Sequence, residues 1–289
     1  MDGQGSWGFM DGSGKTVIPA SFYEARPFHE GFALVLDQAG TTGYVDERGA
    51  FIWTVPKESL EKALADYGLA DFETEIDALH NDLGDFHEGL ARIKEYGGAR
   101  QWRFGFIDKT GKYAIKPQFS GAGDFSEGLA PAKTPRSGYY GYIRKDGTAA
   151  IKPEYESAAP FRDGLAAVSY QDRYGFIDKS GKIIVDLKYD QAGNYSEGLA
   201  KFGVRDPAKK ATGFYGGSFD KLAFSGKWGY IDKAGNIVIA AQFEEAGDFA
   251  AGLAAVKKGS LWGFIDKAGK IVIEPRFDAA DPFSEGLAA

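Results

Sequence analysis

Two glycines six residues apart recur seven times along this chain, and any fold has to accommodate all seven. The pairs are Gly8/Gly14, Gly43/Gly49, Gly105/Gly111, Gly141/Gly147, Gly175/Gly181, Gly229/Gly235 and Gly263/Gly269. Each is followed by an aromatic residue three positions before another glycine: Phe28/Gly31, Phe86/Gly89, Phe125/Gly128, Phe161/Gly164, Tyr195/Gly198, Phe249/Gly252 and Phe283/Gly286. Such a period marks a repeat architecture in which each unit buries its apolar face on its neighbours. The closest first glycines stand 34 residues apart, as from Gly141 to Gly175. The whole chain therefore reads as one array of seven units near 6–40, 41–98, 99–136, 137–170, 171–225, 226–258 and 259–289. Insertions at about 56–79 and 203–225 leave no room for a separate catalytic domain.

Within a unit the periodicity is that of strands. Trp262, Phe264 and Asp266 alternate with Gly263 and Ile265, and the turn Lys267-Ala268-Gly269-Lys270 leads into Ile271-Val272-Ile273. Short β-branched and aromatic runs around a glycine turn predict a hairpin. The recurring Asp-x-x-Gly, as in Asp108/Gly111 and Asp266/Gly269, suits a type I turn closed by a glycine in the left-handed region. Proline at Pro19, Pro117, Pro153 and Pro275 is expected to end pairing at a strand exit. A connection carrying two aromatics, Phe277 and Phe283 in the last unit, then leads to a third strand, seen in full as Gly252-Leu253-Ala254-Ala255-Val256. The expectation is an all-β tandem repeat of seven three-stranded meanders. They would form an open, superhelical or solenoid-like array; the alternative is a closed seven-bladed, propeller-like toroid. The first glycines, Gly8, Gly43, Gly105, Gly141, Gly175, Gly229 and Gly263, are structural: a strand glycine marks close approach of another backbone or ring.

Four segments, WGFMDGSGKTVIPASF, FGFIDKTGKYAIKPQF, KWGYIDKAGNIVIAAQF and LWGFIDKAGKIVIEPRF, resemble WG repeats, the bacterial β-rich tandem repeats named for Trp-Gly. The likeness covers nearly the whole chain outside the insertions, although the tryptophan itself stands only at Trp7, Trp228 and Trp262. The resemblance implies a binding or scaffolding protein and carries over no catalytic residues.

Composition narrows the function. The net charge of −7 opposes backbone-driven attraction to nucleic acid or to an anionic membrane. The chain has no cysteine, which excludes disulfides and thiolate metal sites. No apolar run approaches a membrane span, and MDGQGSWGF does not read as a signal peptide. The compartment stays open: cytoplasmic, or exported after processing.

No phosphate-binding loop, dinucleotide fingerprint, zinc helix or nucleophile elbow occurs, and the chain is expected to be neither an enzyme nor cofactor-dependent. His29 and His87 occupy equivalent Phe-His-Glu-Gly places. A metal pair across adjacent repeats is one reading, but without further ligands a variable polar position is the simpler one; His80 reads as packing. The acidic residue before the corner glycine recurs as Glu30, Glu88, Glu127, Asp163, Glu197 and Glu285, and is lost at Ala251. One carboxylate per unit gives too few ligands for a cation, so it is expected to accept backbone N–H bonds at a loop corner.

Differences between units concentrate in the turns from the third strand to the next Trp-Gly strand. They pair basic residues with aromatics: Tyr96, Arg100 and Trp102; Arg136 and Tyr139; Arg173; and Phe214 and Tyr215 in the long loop. That composition suits interface hot spots. A protein partner is expected, with a glycan or cell-wall polymer as the alternative ligand. The 56–79 insertion reads as helical, with Leu60, Ala63, Leu64 and Tyr67 in one stripe and Phe72, Ile76 and Leu79 in a second. It is expected to brace the array.

Overall fold

The hairpin of each repeat closes as its residues require. In the computed structural model, which describes residues 6–67, 81–205, 224, 226–284 and 287–288, the Asp266 carboxylate accepts the backbone N–H groups of Ala268 and Lys270 at 3.0 and 2.9 Å. The Gly269 N–H donates to the Asp266 carbonyl, and Gly269 takes φ of 81°. Asp11, Asp46, Asp108, Asp178 and Asp232 cap their turns in the same way. At Asp108 and Asp178 the hydroxyls of Thr110 and Ser180 lead the bonds that hold the carboxyl below its usual range.

The described chain falls into two compact units, Met1–Pro153 and Glu154–Ala289. In the first unit, β1 (Trp7–Met10), β2 (Thr16–Ala25), β3 (Phe32–Asp37), β4 (Thr42–Asp46) and β5 (Phe51–Thr54) form a five-stranded sheet in chain order. Helix α1 (Lys57–Tyr67) follows. Then come β6 (Phe86–His87), β7 (Leu90–Tyr96), β8 (Trp102–Asp108) and β9 (Tyr113–Phe119) in a second sheet. The third sheet holds β10 (Gly121–Ala122), β11 (Ala130–Lys133), β12 (Tyr140–Ile143) and β13 (Ala149–Tyr155), whose last two residues belong to the second unit. The second unit continues with β14 (Ser157–Ala158), β15 (Leu165–Tyr170), β16 (Arg173–Asp178) and β17 (Ile183–Tyr189). Next come β18 (Gln191–Ser196), β19 (Leu199–Arg205), β20 (Gly226–Asp232) and β21 (Ile237–Phe243). Its last sheet is β22 (Glu245–Ala246), β23 (Leu253–Lys258), β24 (Leu261–Asp266) and β25 (Ile271–Phe277). Sheet order follows chain order in all six, and none closes into a barrel.

The all-β repeat is therefore present, with a different phase. Each four-stranded sheet joins the third strand of one sequence unit to the Trp-Gly hairpin of the next. Short turns between antiparallel strands select sheet neighbours, and the link from Tyr170 to Arg173 is short. After the first unit, whose β2 and β3 are paired, the second and third strands of one unit, such as β17 and β19, lie in different sheets. The connection between them supplies the extra strand, which in β14 and β22 is only two residues long.

Proline lies inside the strand, not at its exit. Trp262 pairs with Phe277 and Phe264 with Ile273, so two steps on β24 face four on β25. Pro275 sits in this bulge, whose residues lack regular ladder partners, and the missing N–H costs little there. The bulge folds over Gly263, where a β-carbon would fall 2.5 Å from the Ile273 carbonyl oxygen. The same backbone contact faces Gly8, Gly43, Gly105, Gly141, Gly175 and Gly229. All seven first glycines thus have the close approach expected of them.

Within each unit, aromatic pairs join a sheet to the corner that follows it. The ring after the Trp-Gly glycine meets the corner aromatic edge to face: Phe106 with Phe125, Phe176 with Tyr195, Tyr230 with Phe249 and Phe264 with Phe283, each with ring centres 4.9 Å apart. Edge-to-face geometry suits the ring quadrupoles. Tyr230 is buried, and its hydroxyl donates to the Gly247 carbonyl at 2.7 Å, which satisfies its polar end.

Helix α1 braces β7, as expected for the first stripe. Ser59 and Ala63 are buried, and Leu60 packs on the core of Leu34, Tyr44, Trp53 and Ile93. The predicted second stripe, Gly68 and His80 lie outside the described residues.

Candidate interaction surface

The acidic corner residue turns out to be an inter-repeat clamp. Glu30, Glu88, Asp163 and Glu197 adopt φ of 52°, 53°, 56° and 52°, a left-handed conformation. That backbone aims each carboxylate at the following repeat. Glu30 accepts the N–H groups of Glu88 and Gly89 at 2.7 and 2.9 Å. Glu88 accepts from Gly128 at 3.0 Å, Asp163 from Gly198 at 2.8 Å and Glu197 from Gly252 at 3.0 Å. A lysine from the hairpin turn one repeat further completes each contact: Lys109 to Glu30 at 3.1 Å, Lys145 to Glu88 at 3.2 Å, Lys233 to Asp163 at 3.9 Å and Lys267 to Glu197 at 3.1 Å. The sequence-based expectation of a carboxylate on corner amides holds; that the amides belong to the next repeat is new.

Charge follows geometry. Burial works to raise the Glu30 carboxyl, but Lys109 and the two amides outweigh it and hold it below its usual range. Glu197 is lowered as well, chiefly by Lys267. These carboxylates are committed to packing.

The Trp-Gly aromatics are committed too. Lys257 stands opposite Trp262 on the neighbouring strand, with its ammonium 5.8 Å from the ring centre. Lys94 over Phe104 and Lys133 over Tyr140 repeat the arrangement at 5.7 and 5.6 Å, and Lys201, two places along its strand, reaches Trp228 at 5.9 Å, all within cation–π range.

The predicted edge residues divide into two groups. Tyr96 is buried, its hydroxyl donating to Asp66 of α1 at 2.6 Å and accepting the Arg100 N–H at 2.6 Å. Arg100 Nε donates to the Asp66 carbonyl at 3.1 Å, and Trp102 packs edge to face on Tyr96 at 5.3 Å. Of these three only Tyr96 is buried, beneath the helical insertion; Trp102 is half-buried against it, and Arg100 keeps an exposed side chain tied to α1. Arg173 is exposed but bound to Asp190, in the bend that follows β17, at 2.7 Å. Phe214 and Tyr215 lie outside the described residues.

Arg136 and Tyr139 remain exposed. Their turn is folded by its own side chains, with Thr134 and Ser137 hydroxyls 2.7 Å apart and the Gly138 N–H donating to the Thr134 carbonyl at 3.2 Å. Sequence reasoning missed a groove of about 520 Å³ in the first sheet, floored by Ile18 and Phe22 and rimmed by Pro19, Asp37, Arg48 and Phe51. It depends on the bulge in β2 and the turns at both ends of β4, which no local pattern announces. The rings of His29 and His87 do meet, with centres 5.9 Å apart and His29 Nε2 3.6 Å from Asp85. Yet among the described residues no three His, Cys, Asp or Glu side chains are grouped to hold a metal.

Tandem four-stranded sheets stapled by corner carboxylates define a β-repeat protein. The chain belongs to the WG-containing repeat family, whose model matches residues 7–37, 104–134, 140–173, 174–205, 228–262 and 262–289. No curated protein matches it. Among solved structures it is similar to BamB from Moraxella catarrhalis, at 10% identity and a TM-score of 0.47 over 90% of this chain and 78% of that one. A eukaryotic initiation factor aligns at 9% identity and 0.44, over 90% and 80%. A protein of unknown function from Bacteroides caccae aligns at 13% and 0.31, over 81% and 90%. No helix among the described residues is long and apolar enough to cross a membrane.

Proposed function

We propose that this repeat domain is a non-catalytic binding module that engages a protein through the turn Thr134–Tyr139. The observation that carries this reading is the exposure of Arg136, with Tyr139 beside it, on an ordered turn. Repeat carboxylates hold neighbouring amides, and Trp-Gly aromatics carry lysines. Arg136 and Tyr139 stand exposed on a turn already ordered by Thr134 and Ser137. An arginine and a tyrosine on a preorganised turn suit a protein hot spot, because little ordering entropy remains to be lost on binding. A glycan site would call for flat aromatic platforms at even spacing, whereas the periodic aromatics here are half-buried under lysines.

The test places a photo-crosslinking side chain at position 136 in cells, with a control at the exposed Lys15 on a hairpin turn. A discrete protein adduct at 136 alone is expected, followed by direct binding of that purified protein and loss of binding in Arg136→Ala/Tyr139→Ser. Equal labelling at both positions, or unchanged affinity of the double variant, contradicts the reading.

A further inference from the structure

The stretch that carries the exposed turn is basic in a chain that is acidic overall. Between Lys109 and Tyr155 stand eight Lys and Arg residues against four Asp and Glu, a net charge of +4 where the whole chain carries −7. Three of those four acids are taken up by the fold: Asp124 faces Arg92 at 3.6 Å, Asp146 accepts the Thr148 N–H at 2.9 Å, and Glu127 is half-buried, while Glu154 is exposed. Of the basic residues, Lys109 and Lys145 serve the inter-repeat clamps. Lys116, Arg136 and Lys152 are exposed, and among the described residues none of the three has an ion-pair partner.

The two lysines occupy one structural place. Lys116 lies in the bulge over Gly105 and Lys152 in the bulge over Gly141, on the last strands of the second and third sheets. The other first glycines have Pro19, Thr54, Asp186, Ala240 and Glu274 in that place, so the basic choice is confined to β9 and β13. Both strands border the turn that carries Arg136. The Ser120 N–H, just past β9, donates to the Lys133 carbonyl at 2.8 Å where the turn begins. The turn then returns into β12, where a β-carbon on Gly141 would fall 2.7 Å from the Lys152 carbonyl carbon.

We infer that the surface formed by Lys116, Arg136 and Lys152 takes an acidic stretch of a partner protein. This rests on the turn Thr134–Tyr139 being the binding element. Cations without local counter-charges set up a field that draws carboxylates and discriminates against basic partners. Arg136 adds a planar guanidinium that matches a carboxylate with two parallel bonds, and Tyr139, 37% exposed, offers apolar surface on the same turn. Length separates an acidic protein segment from a nucleic acid. A polyanion that runs past this surface meets a chain whose remainder is strongly acidic, whereas a short acidic segment ends within it.

The experiment is fluorescence anisotropy of the full chain with a labelled peptide of glutamate and leucine. Matched peptides carry glutamine or lysine in place of glutamate, and a single-stranded oligonucleotide of equal length is the further control. The glutamate peptide alone is expected to bind, and more weakly as salt is raised. Lys116→Glu/Lys152→Glu should weaken it about tenfold with circular dichroism unchanged. If the charge reversal disturbs the fold, Lys116→Gln/Lys152→Gln gives the same readout with a smaller loss. No binding of the glutamate peptide, equal binding of the glutamine peptide, tighter binding of the oligonucleotide, or unchanged affinity in the lysine variants overturns the inference. The turn itself is tested separately. A protein captured at position 136 that binds the lysine variants as tightly as the native chain contradicts the acidic partner and keeps the turn. A glutamate peptide weakened by the lysine variants but not by Arg136→Ala/Tyr139→Ser contradicts the turn.

Discussion

The Glu197 carboxylate reaches across 55 positions of the chain to accept the Gly252 N–H at 3.0 Å. Corner amides at a tight turn have no strand partner, and a carboxylate from the preceding repeat satisfies them with a charge-assisted bond. The left-handed backbone at Glu197 is what aims it.

Glu197→Ala should therefore destabilise the second unit. Because the pair is partly exposed, solvent screening limits the loss to about 1 kcal/mol. Glu197→Gln should cost less, since its amide oxygen still accepts. The urea midpoint reads both, and an unchanged midpoint in the alanine variant contradicts the clamp.

Acid should loosen the same contacts. The folded-state carboxyls of Glu30 and Glu197 lie below their reference value of 4.5. Their contribution is thus fully present above that value and is lost as pH falls through the lower folded one. Thermal midpoints should hold near neutrality and decline below about pH 4.5. Glu30→Gln/Glu197→Gln should show a shallower decline, and parallel curves would contradict the assignment.

Two glycines should respond differently to alanine. At Gly105 a β-carbon would meet the Ile115 oxygen and the Pro117 nitrogen, each at 2.6 Å. Backbone cannot yield as a flexible side chain can, so Gly105→Ala should cost about 3 kcal/mol or more. Gly128 has open space and φ of 85°, so Gly128→Ala should cost only the left-handed strain of about 1–2 kcal/mol. Equal losses by denaturant titration would contradict the bulge contact.

Tyr96→Phe removes the hydroxyl that joins Asp66 of α1 to the Arg100 turn. The expected loss is about 1–2 kcal/mol, the cost of deleting a buried polar link. Amide exchange of α1 should speed up while β12 stays protected. Unchanged exchange in α1 would assign its anchoring to apolar packing alone.

The parts legible in the sequence were those written locally. Asp266 and Gly269 announce their turn, and Gly263 its close backbone neighbour. The parts that were not legible depend on distant partners. The two-residue strand Ser157–Ala158 is too short for alternation to register. Pro275 marks a bulge only once Phe277 is known to pair with Trp262. Tyr96 and Trp102 have interface composition, and only the docking of α1 reveals them as packing. The acidic corner was recognised, but its target in the next repeat follows from φ at residues such as Glu88, which composition does not encode.

Hydrogen exchange at the Gly252 N–H tests the inter-repeat clamp most directly. In the native chain this amide should be protected, and in Glu197→Ala it should exchange markedly faster while amides in the middle of β24 keep their rates. Equal exchange at Gly252 in the two proteins would show that the carboxylate does not hold the corner, and the clamp would have to be abandoned.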